Sequence, residues 1–128
     1  MQSSPMRALV VDDSRSMRMI LAHILGQLGY QVDQAGNGRQ ALEVLDRERN
    51  EISLVLVDWN MPEMNGLDFL RALRANPGYA QVTVVMVTTE TQASQMIAAL
   101  EAGANEYIMK PFTPEVISEK LRLLGLAA

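Results

Sequence analysis

The sequence predicts an α/β domain in which one parallel sheet of five strands is sandwiched between helices on both faces. Three observations predict it. Short runs of branched apolar residues alternate five times with segments of helical periodicity. That is the pattern of strand–helix–strand units joined by right-handed crossovers. The run Leu54-Val55-Leu56-Val57 carries no polar interruption, as a central parallel strand does when helices cover both its faces. The 128 residues, 48% of them hydrophobic, suffice for one compact core.

Residues 1–5 read as a disordered tail and residues 6–128 as one domain, too short to carry a second. Ala8-Leu9-Val10-Val11 is the first strand and stops at Asp12-Asp13. The first helix places Met17, Ile20, Leu21, Ile24, Leu25 and Leu28 at helical spacing, and Gly29 ends it. Gln31–Ala35 is a more polar strand, suited to a sheet edge. After the Gly36-Asn37-Gly38 turn, Ala41, Leu42 and Leu45 mark the second helix, whose end from Asp46 to Glu51 is charged and expected to be solvated. The central strand ends on Asp58. Pro62, Asn65 and Gly66 form a loop before the third helix, from about Gly66 to Ala75.

Asn76-Pro77-Gly78 breaks the chain again. Val82–Val87 is a buried strand that runs into Thr88-Thr89-Glu90. Met96, Ile97 and Leu100 supply the expected core face of the fourth helix, closed by Gly103. Tyr107-Ile108-Met109 is the fifth strand, ending in Lys110-Pro111. Pro114 suits the first turn of a last helix, with Ile117, Leu121 and Leu124 facing inward.

Composition narrows the function classes. The net charge of −4 argues against a general nucleic-acid or membrane-surface binder, which needs basic patches. With no cysteine, disulfides and thiolate metal sites are impossible. Residues 1–6 are short and polar, so no signal peptide is expected. No stretch approaches the ~20 apolar residues of a membrane span. A cytoplasmic protein follows. The single histidine, His23, falls between the apolar positions of its helix and should face solvent. The methionines read mostly as core filler, with Met17 able to lie over a site at the strand ends.

Polar groups stand at the carboxyl ends of four strands: Asp12 and Asp13, Asp58, Thr88 and Lys110. In an open parallel sheet these ends share one edge, where ligands and chemistry are found. Taken singly, Asp13 could cap the first helix, Thr89 the fourth, and Lys110 could be a solvated charge. Taken together, three carboxylates repel by about 4 kcal/mol per pair at 4 Å with an effective dielectric near 20. Such a cluster calls for a divalent cation, and all-oxygen donors favour Mg²⁺. A carboxylate beside a cation, an ammonium and a hydroxyl is suited to accept a phosphoryl group by positioning and charge neutralisation. The product would be an aspartyl phosphate.

At this point the chain resembles a known family. Asp12-Asp13, then Asp58 within Val-Asp-Trp-Asn-Met-Pro-Glu-Met-Asn-Gly, then Met86-Val87-Thr88 and Lys110-Pro111-Phe112, look like the receiver domain of response regulators, in particular the single-domain chemotaxis regulators. The resemblance covers nearly the whole chain and implies the flavodoxin-like strand order 2-1-3-4-5 that this family exemplifies. It implies that Asp58 is the phosphoacceptor. Asp13, Asp58 and the main-chain carbonyl of Asn60 would hold Mg²⁺, with Asp12 acting through water. Lys110 would pair with the phosphoryl oxygens across a cis Lys110–Pro111 bond, Thr88 would hydrogen-bond the arriving group, and Tyr107 would change rotamer with it. Asn60 and Glu90 would tune hydrolysis.

By the same resemblance the protein is a phosphoacceptor in signalling rather than an enzyme, though it would catalyse its own phosphorylation and dephosphorylation. Its partners would be a sensor histidine kinase and an output protein, possibly the flagellar motor switch, and it would be a monomer. The output face would be helix four, strand five and helix five, with Lys120 retained and Ala98 and Ala99 leaving a small-residue patch. The opening of helix four, Thr91-Gln92-Ala93-Ser94-Gln95, lacks the lysines that similar chemotaxis regulators carry there. Relay of phosphate between proteins, or a phosphate sink, is the alternative output. A haloacid-dehalogenase-type phosphatase would need Asp-x-Asp where the two acids here are adjacent. A flavin carrier would need a hydroxyl- and glycine-rich loop where Asp12-Asp13 would repel phosphate.

Overall fold

The computed structural model describes residues 6–48, 51–89 and 93–126. The tail expected at residues 1–5, Glu90, and the Thr91-Gln92 opening of the fourth helix lie outside them. In chain order the elements are β1 (Met6–Val11), α1 (Arg15–Gln27), β2 (Tyr30–Ala35), α2 (Gly38–Arg47), β3 (Ile52–Asp58), α3 (Gly66–Arg74), β4 (Thr83–Thr88), α4 (Ala93–Ala102), β5 (Glu106–Met109) and α5 (Pro114–Leu123). A single 3₁₀ turn at Pro77–Tyr79 leads into β4. The strands form one parallel sheet in the order β2-β1-β3-β4-β5, as expected.

Strand alternation divides the core in two. Leu9, Val11, Val55, Val57, Val84 and Met86 meet α2, α3 and α4, whereas Ala8, Val10, Leu54, Leu56, Val85 and Val87 meet α1 and α5. Successive strand residues point to opposite faces, so an unbroken apolar run serves both layers. β2 lies at one edge with its middle four residues partly exposed or exposed, which matches its polar sequence.

Polar side chains set the helix starts. Ser14 Oγ accepts from the Met17 N–H at 3.2 Å, Asn37 Oδ1 from Gln40 at 2.9 Å, Asn65 Oδ1 from Asp68 at 2.8 Å and Thr113 Oγ1 from Val116 at 3.2 Å. Each satisfies an amide that the helix itself leaves without an acceptor. Ser14, not Asp13, therefore caps α1. Gly29, at φ 99°, takes the left-handed conformation that ends that helix.

Two expectations from periodicity fail. Ile20 is exposed on α1. On α4 the buried residue is Ala99, 2% exposed, while Ile97 is 53% exposed and Leu100 is exposed as well. Apolar residues surround this helix, from Met96 through Ala102, so spacing alone selects no face. Burying an alanine lets the helix backbone approach α3 and the sheet closely, and the larger side chains then point out. Ala99 consequently belongs to the core and cannot form a surface patch with Ala98, which is only partly buried. The end of α2 is largely solvated, as expected, with Asp46, Arg47 and Glu51 exposed. Tyr79 donates its hydroxyl to Asp46 Oδ1, and Glu48 pairs with Arg7 at 3.4 Å, so part of that charged segment ties α2 to β1 and the 3₁₀ turn.

Candidate functional site

The pairing of β1 with β3 sets Val11 beside Val57, so the next residues, Asp12 and Asp58, emerge side by side. Both carry the strand parity of the α1–α5 face, and so does Lys110, two residues after Ile108. The Lys110 Nζ donates to Asp12 Oδ2 at 3.3 Å and to Asp58 Oδ1 at 3.4 Å. Its own N–H donates to the Thr88 carbonyl at 2.7 Å, which anchors the lysine to the end of β4. The Lys110–Pro111 peptide is cis, as the resemblance implies.

Asp12 is 1% exposed and Asp58 7%. Asp13 is exposed, yet one oxygen from each of the three carboxylates lies within 4.8 Å of the others. Asp12 is held on several sides. Its N–H donates to the Ala35 carbonyl at 3.1 Å, and its Oδ1 accepts from the Ser14 N–H at 2.9 Å. An open cleft of about 440 Å³ lined by Asp13, Asn60, Met61, Pro62 and Asn65 adjoins the cluster.

The loop after β3 folds tightly against the strand end. The Trp59 N–H donates to the Val87 carbonyl at 3.0 Å, and the Gly66 N–H donates to the Trp59 carbonyl at 2.9 Å. Gly66 is required here because a Cβ would stand 2.4 Å from the Asp58 carbonyl oxygen. Thr88 is buried and shares the strand parity of Tyr107, which packs against the α2–α3–α4 core. On the outer face Lys120 Nζ sits 4.9 Å from the centroid of the Tyr107 ring and pairs with Glu106 Oε1 at 3.3 Å. Met17 is partly buried in the α1–α5 core, and His23 is exposed, as its spacing suggests.

Burial is the main influence on Asp58 and raises its pKa. The neighbouring Asp12 charge adds to the rise, while Lys110 and the Asn60 N–H oppose it. The ionised carboxylate is therefore less favourable in the folded chain than in the unfolded one. The sign gives a prediction. A raised folded pKa means that the penalty is absent well below the ordinary value of 3.8, grows as pH rises through the folded pKa, and is complete above it. In metal-free buffer Asp58→Asn should raise stability at pH 7 by about 0.5–2 kcal/mol, with the gain shrinking towards pH 3. Urea unfolding at the two pH values checks this, and a variant less stable than the parent at pH 7 contradicts it.

Arg18 and Arg74 are absent from the sequence-based site. The Arg18 side chain reaches back along α1 to the Asp12 carbonyl, to which Nη1 donates at 2.7 Å. Its place four residues after the Ser14 cap was the available signal, since helical side chains lean towards the N-terminus. Arg74 donates to the carbonyls of Gly103 and Tyr79 and to Asn105 Oδ1 at 3.0–3.1 Å. It braces the C-terminal end of α3 against the exit from α4, and burial lowers its pKa.

Three carboxylates and one ammonium around an open cleft form an acidic, oxygen-rich pocket at the carboxyl edge of a doubly covered parallel sheet. The family model for the response regulator receiver domain matches residues 8–122, and the chain belongs to that family of signalling domains. Chemotaxis protein CheY1 of Helicobacter pylori strain J99 is 46% identical over 120 residues, which cover 93% of this chain and 96% of that protein. Chemotaxis protein CheY of Pseudomonas aeruginosa PAO1 is 41% identical over 117 residues, 91% of this chain and 93% of that one. Among solved structures, the chemotaxis response regulator CheY4 of Vibrio cholerae superposes with a TM-score of 0.87 at 34% identity, covering 94% of this chain and 99% of its own. Among the described residues, no helix is long and apolar enough to cross a membrane.

Proposed function

We propose that this chain is a cytoplasmic, monomeric single-domain response regulator that takes a phosphoryl group from a sensor histidine kinase onto Asp58. The observation that carries the reading is Lys110 Nζ set between the carboxylates of Asp12 and Asp58, at 3.3 and 3.4 Å, with Asp13 open to the adjoining cleft. An Asp58 oxygen attacks phosphorus, an O–P bond forms as the donor's N–P bond breaks, and the imidazole leaves. Lys110 balances the charge gathering on the transferred oxygens. Thr88 hydrogen-bonds the group once it has arrived.

The donor set fits Mg²⁺, since it is all oxygen, strongly anionic and open on one side for water. Asp13, Asp58 and the Asn60 carbonyl would hold the ion, with Asp12 acting through water. When bound, it supplies neutralisation of phosphoryl charge. By resemblance to the family Asn60 and Glu90 tune hydrolysis, and a short-lived signal follows from those residue types.

Output passes through the face of α4, β5 and α5 as Thr88 and Tyr107 respond to the phosphoryl group. The chemotaxis relatives favour a flagellar motor switch as partner, with a phosphorelay or phosphate sink as the second reading. Near that face Lys120 pairs with Glu106, and α4 exposes Ile97 and Leu100 rather than a small-residue patch. One experiment tests the whole reading. Treated with acetyl phosphate and Mg²⁺, the protein should gain the mass of one phosphoryl group and bind a flagellar switch peptide more tightly than before. Asp58→Asn should do neither. An unchanged mass gain in that variant removes Asp58 as acceptor, and a phosphorylated parent with no gain in peptide binding removes the motor partner.

A further inference from the structure

The Asp13 carboxylate has no hydrogen-bond or ion-pair partner among the described residues, although it is the member of the acidic cluster that faces the cleft. The backbone on either side must therefore aim it. After it, Ser14 is held by its N–H on Asp12 Oδ1 and as the cap of α1; before it, the oxygen of the Asp12–Asp13 peptide accepts a short bond from Arg18 Nη1 at 2.7 Å. The same guanidinium donates through Nε to Gln34 Oε1 at 3.3 Å, and it lies against Gly36, where a Cβ would come 3.5 Å from Nη1. Arg18 therefore links α1, the β1–α1 turn and the end of β2.

Its choice of acceptor matters. Arg18 forms no ion pair among the described residues and bonds a carbonyl, although three carboxylates stand close by. The Asp13 oxygens are thereby left without a guanidinium partner. A guanidinium that bonded Asp13 directly would compete with a cation for the same atoms.

We propose that Arg18 is a positioning residue for cation binding: by fixing the Asp12–Asp13 peptide, it aims the otherwise unsupported Asp13 carboxylate at the cleft. This rests on the reading of the acidic cluster as a Mg²⁺ site. Outer residues that orient metal ligands commonly contribute 10–100-fold in affinity.

The test exploits opposite signs. Deleting a positive charge near a cation site should by itself tighten Mg²⁺ binding, whereas loss of positioning should weaken it. Mg²⁺ binding to the full chain is measured by calorimetry for the parent, Arg18→Met and Arg18→Lys. Arg18→Met should raise the Kd about tenfold, at the low end of that range. Arg18→Lys keeps the charge and one donor but cannot also reach Gln34, so its Kd should rise by a smaller factor, about threefold. A purely structural role would shift the urea midpoint of Arg18→Met and leave the Kd alone. A Kd that is unchanged or lower in Arg18→Met overturns the proposal. If that variant does not fold, Arg18→Lys decides, and a parent-like Kd there overturns it. A parent that binds no Mg²⁺ removes the cation-site reading and this inference with it, whereas a binding parent with unaltered variants removes this inference alone.

Discussion

Lys110→Met is expected to cost about 3 kcal/mol of stability at pH 7 and to slow phosphorylation of Asp58 by about 100-fold or more. Among the described residues, Lys110 is the one cation that forms an ion pair with the carboxylate of either Asp12 or Asp58. Both carboxylates are nearly buried, so water screens them little. Removing one partner of such a group leaves unbalanced buried charge, and that costs more than the intact pair contributes. The burden should be relieved in three ways: by acid, which protonates the carboxylates, by Asp58→Asn in the same chain, or by saturating Mg²⁺. Urea unfolding of the single and double variants reads the first effect, and the rate of mass gain with acetyl phosphate reads the second. A single variant within about 0.5 kcal/mol of the parent, phosphorylated within threefold of its rate, would show that Lys110 is a bystander. The comparison with Asp58→Asn is informative because removing one acid from the cluster should stabilise the fold, whereas removing the base should weaken it.

Gly66→Ala is expected to cost about 3 kcal/mol, the upper end for inserting atoms into a packed site. The added Cβ would meet the Asp58 carbonyl oxygen at 2.4 Å and the Trp59 Cα at 3.0 Å. These are backbone atoms with no rotamer to change, and the Gly66 N–H is tied to the Trp59 carbonyl. Relief requires moving the end of β3, which carries Asp58. Stability and phosphorylation should therefore fall together. Gly26→Ala is the control. That glycine lies within α1, nothing stands within 4 Å of its would-be Cβ, and alanine is the better helix residue by up to about 1 kcal/mol. Gly26→Ala should be neutral or stabilising. Equal urea midpoints for the two variants would contradict the close-approach account.

The site was legible because a parallel sheet leaves little freedom. Once Val10-Val11 and Leu56-Val57 are strands that pair in register, Asp12 and Asp58 must emerge together, whatever the helices do. Lys110 and Thr88 follow from the same rule. The order of the strands was not legible from periodicity and entered through resemblance to a family. The face of α4 was misread because its apolar residues surround the helix, and only close packing selects alanine for the inside. Ser14 displaced Asp13 as the cap of α1, a shift of one residue that composition cannot resolve, since both types accept an amide well.

By itself the sequence determined the alternation of strands and helices, the buried character of β3 and the carboxyl edge at which the acidic residues and Lys110 would gather. These depend on local pattern and on a sheet rule that holds for any such chain. The tertiary structure decided which oxygens and nitrogens meet: Lys110 between Asp12 and Asp58, Arg18 on the Asp12 carbonyl, Arg74 across α3, the 3₁₀ turn and the exit from α4, and Lys120 over Tyr107. The reason is physical. Long, flexible cationic side chains find their acceptors only after the backbone has brought residues up to 98 positions apart within 3.3 Å, and no periodicity along the chain encodes that distance.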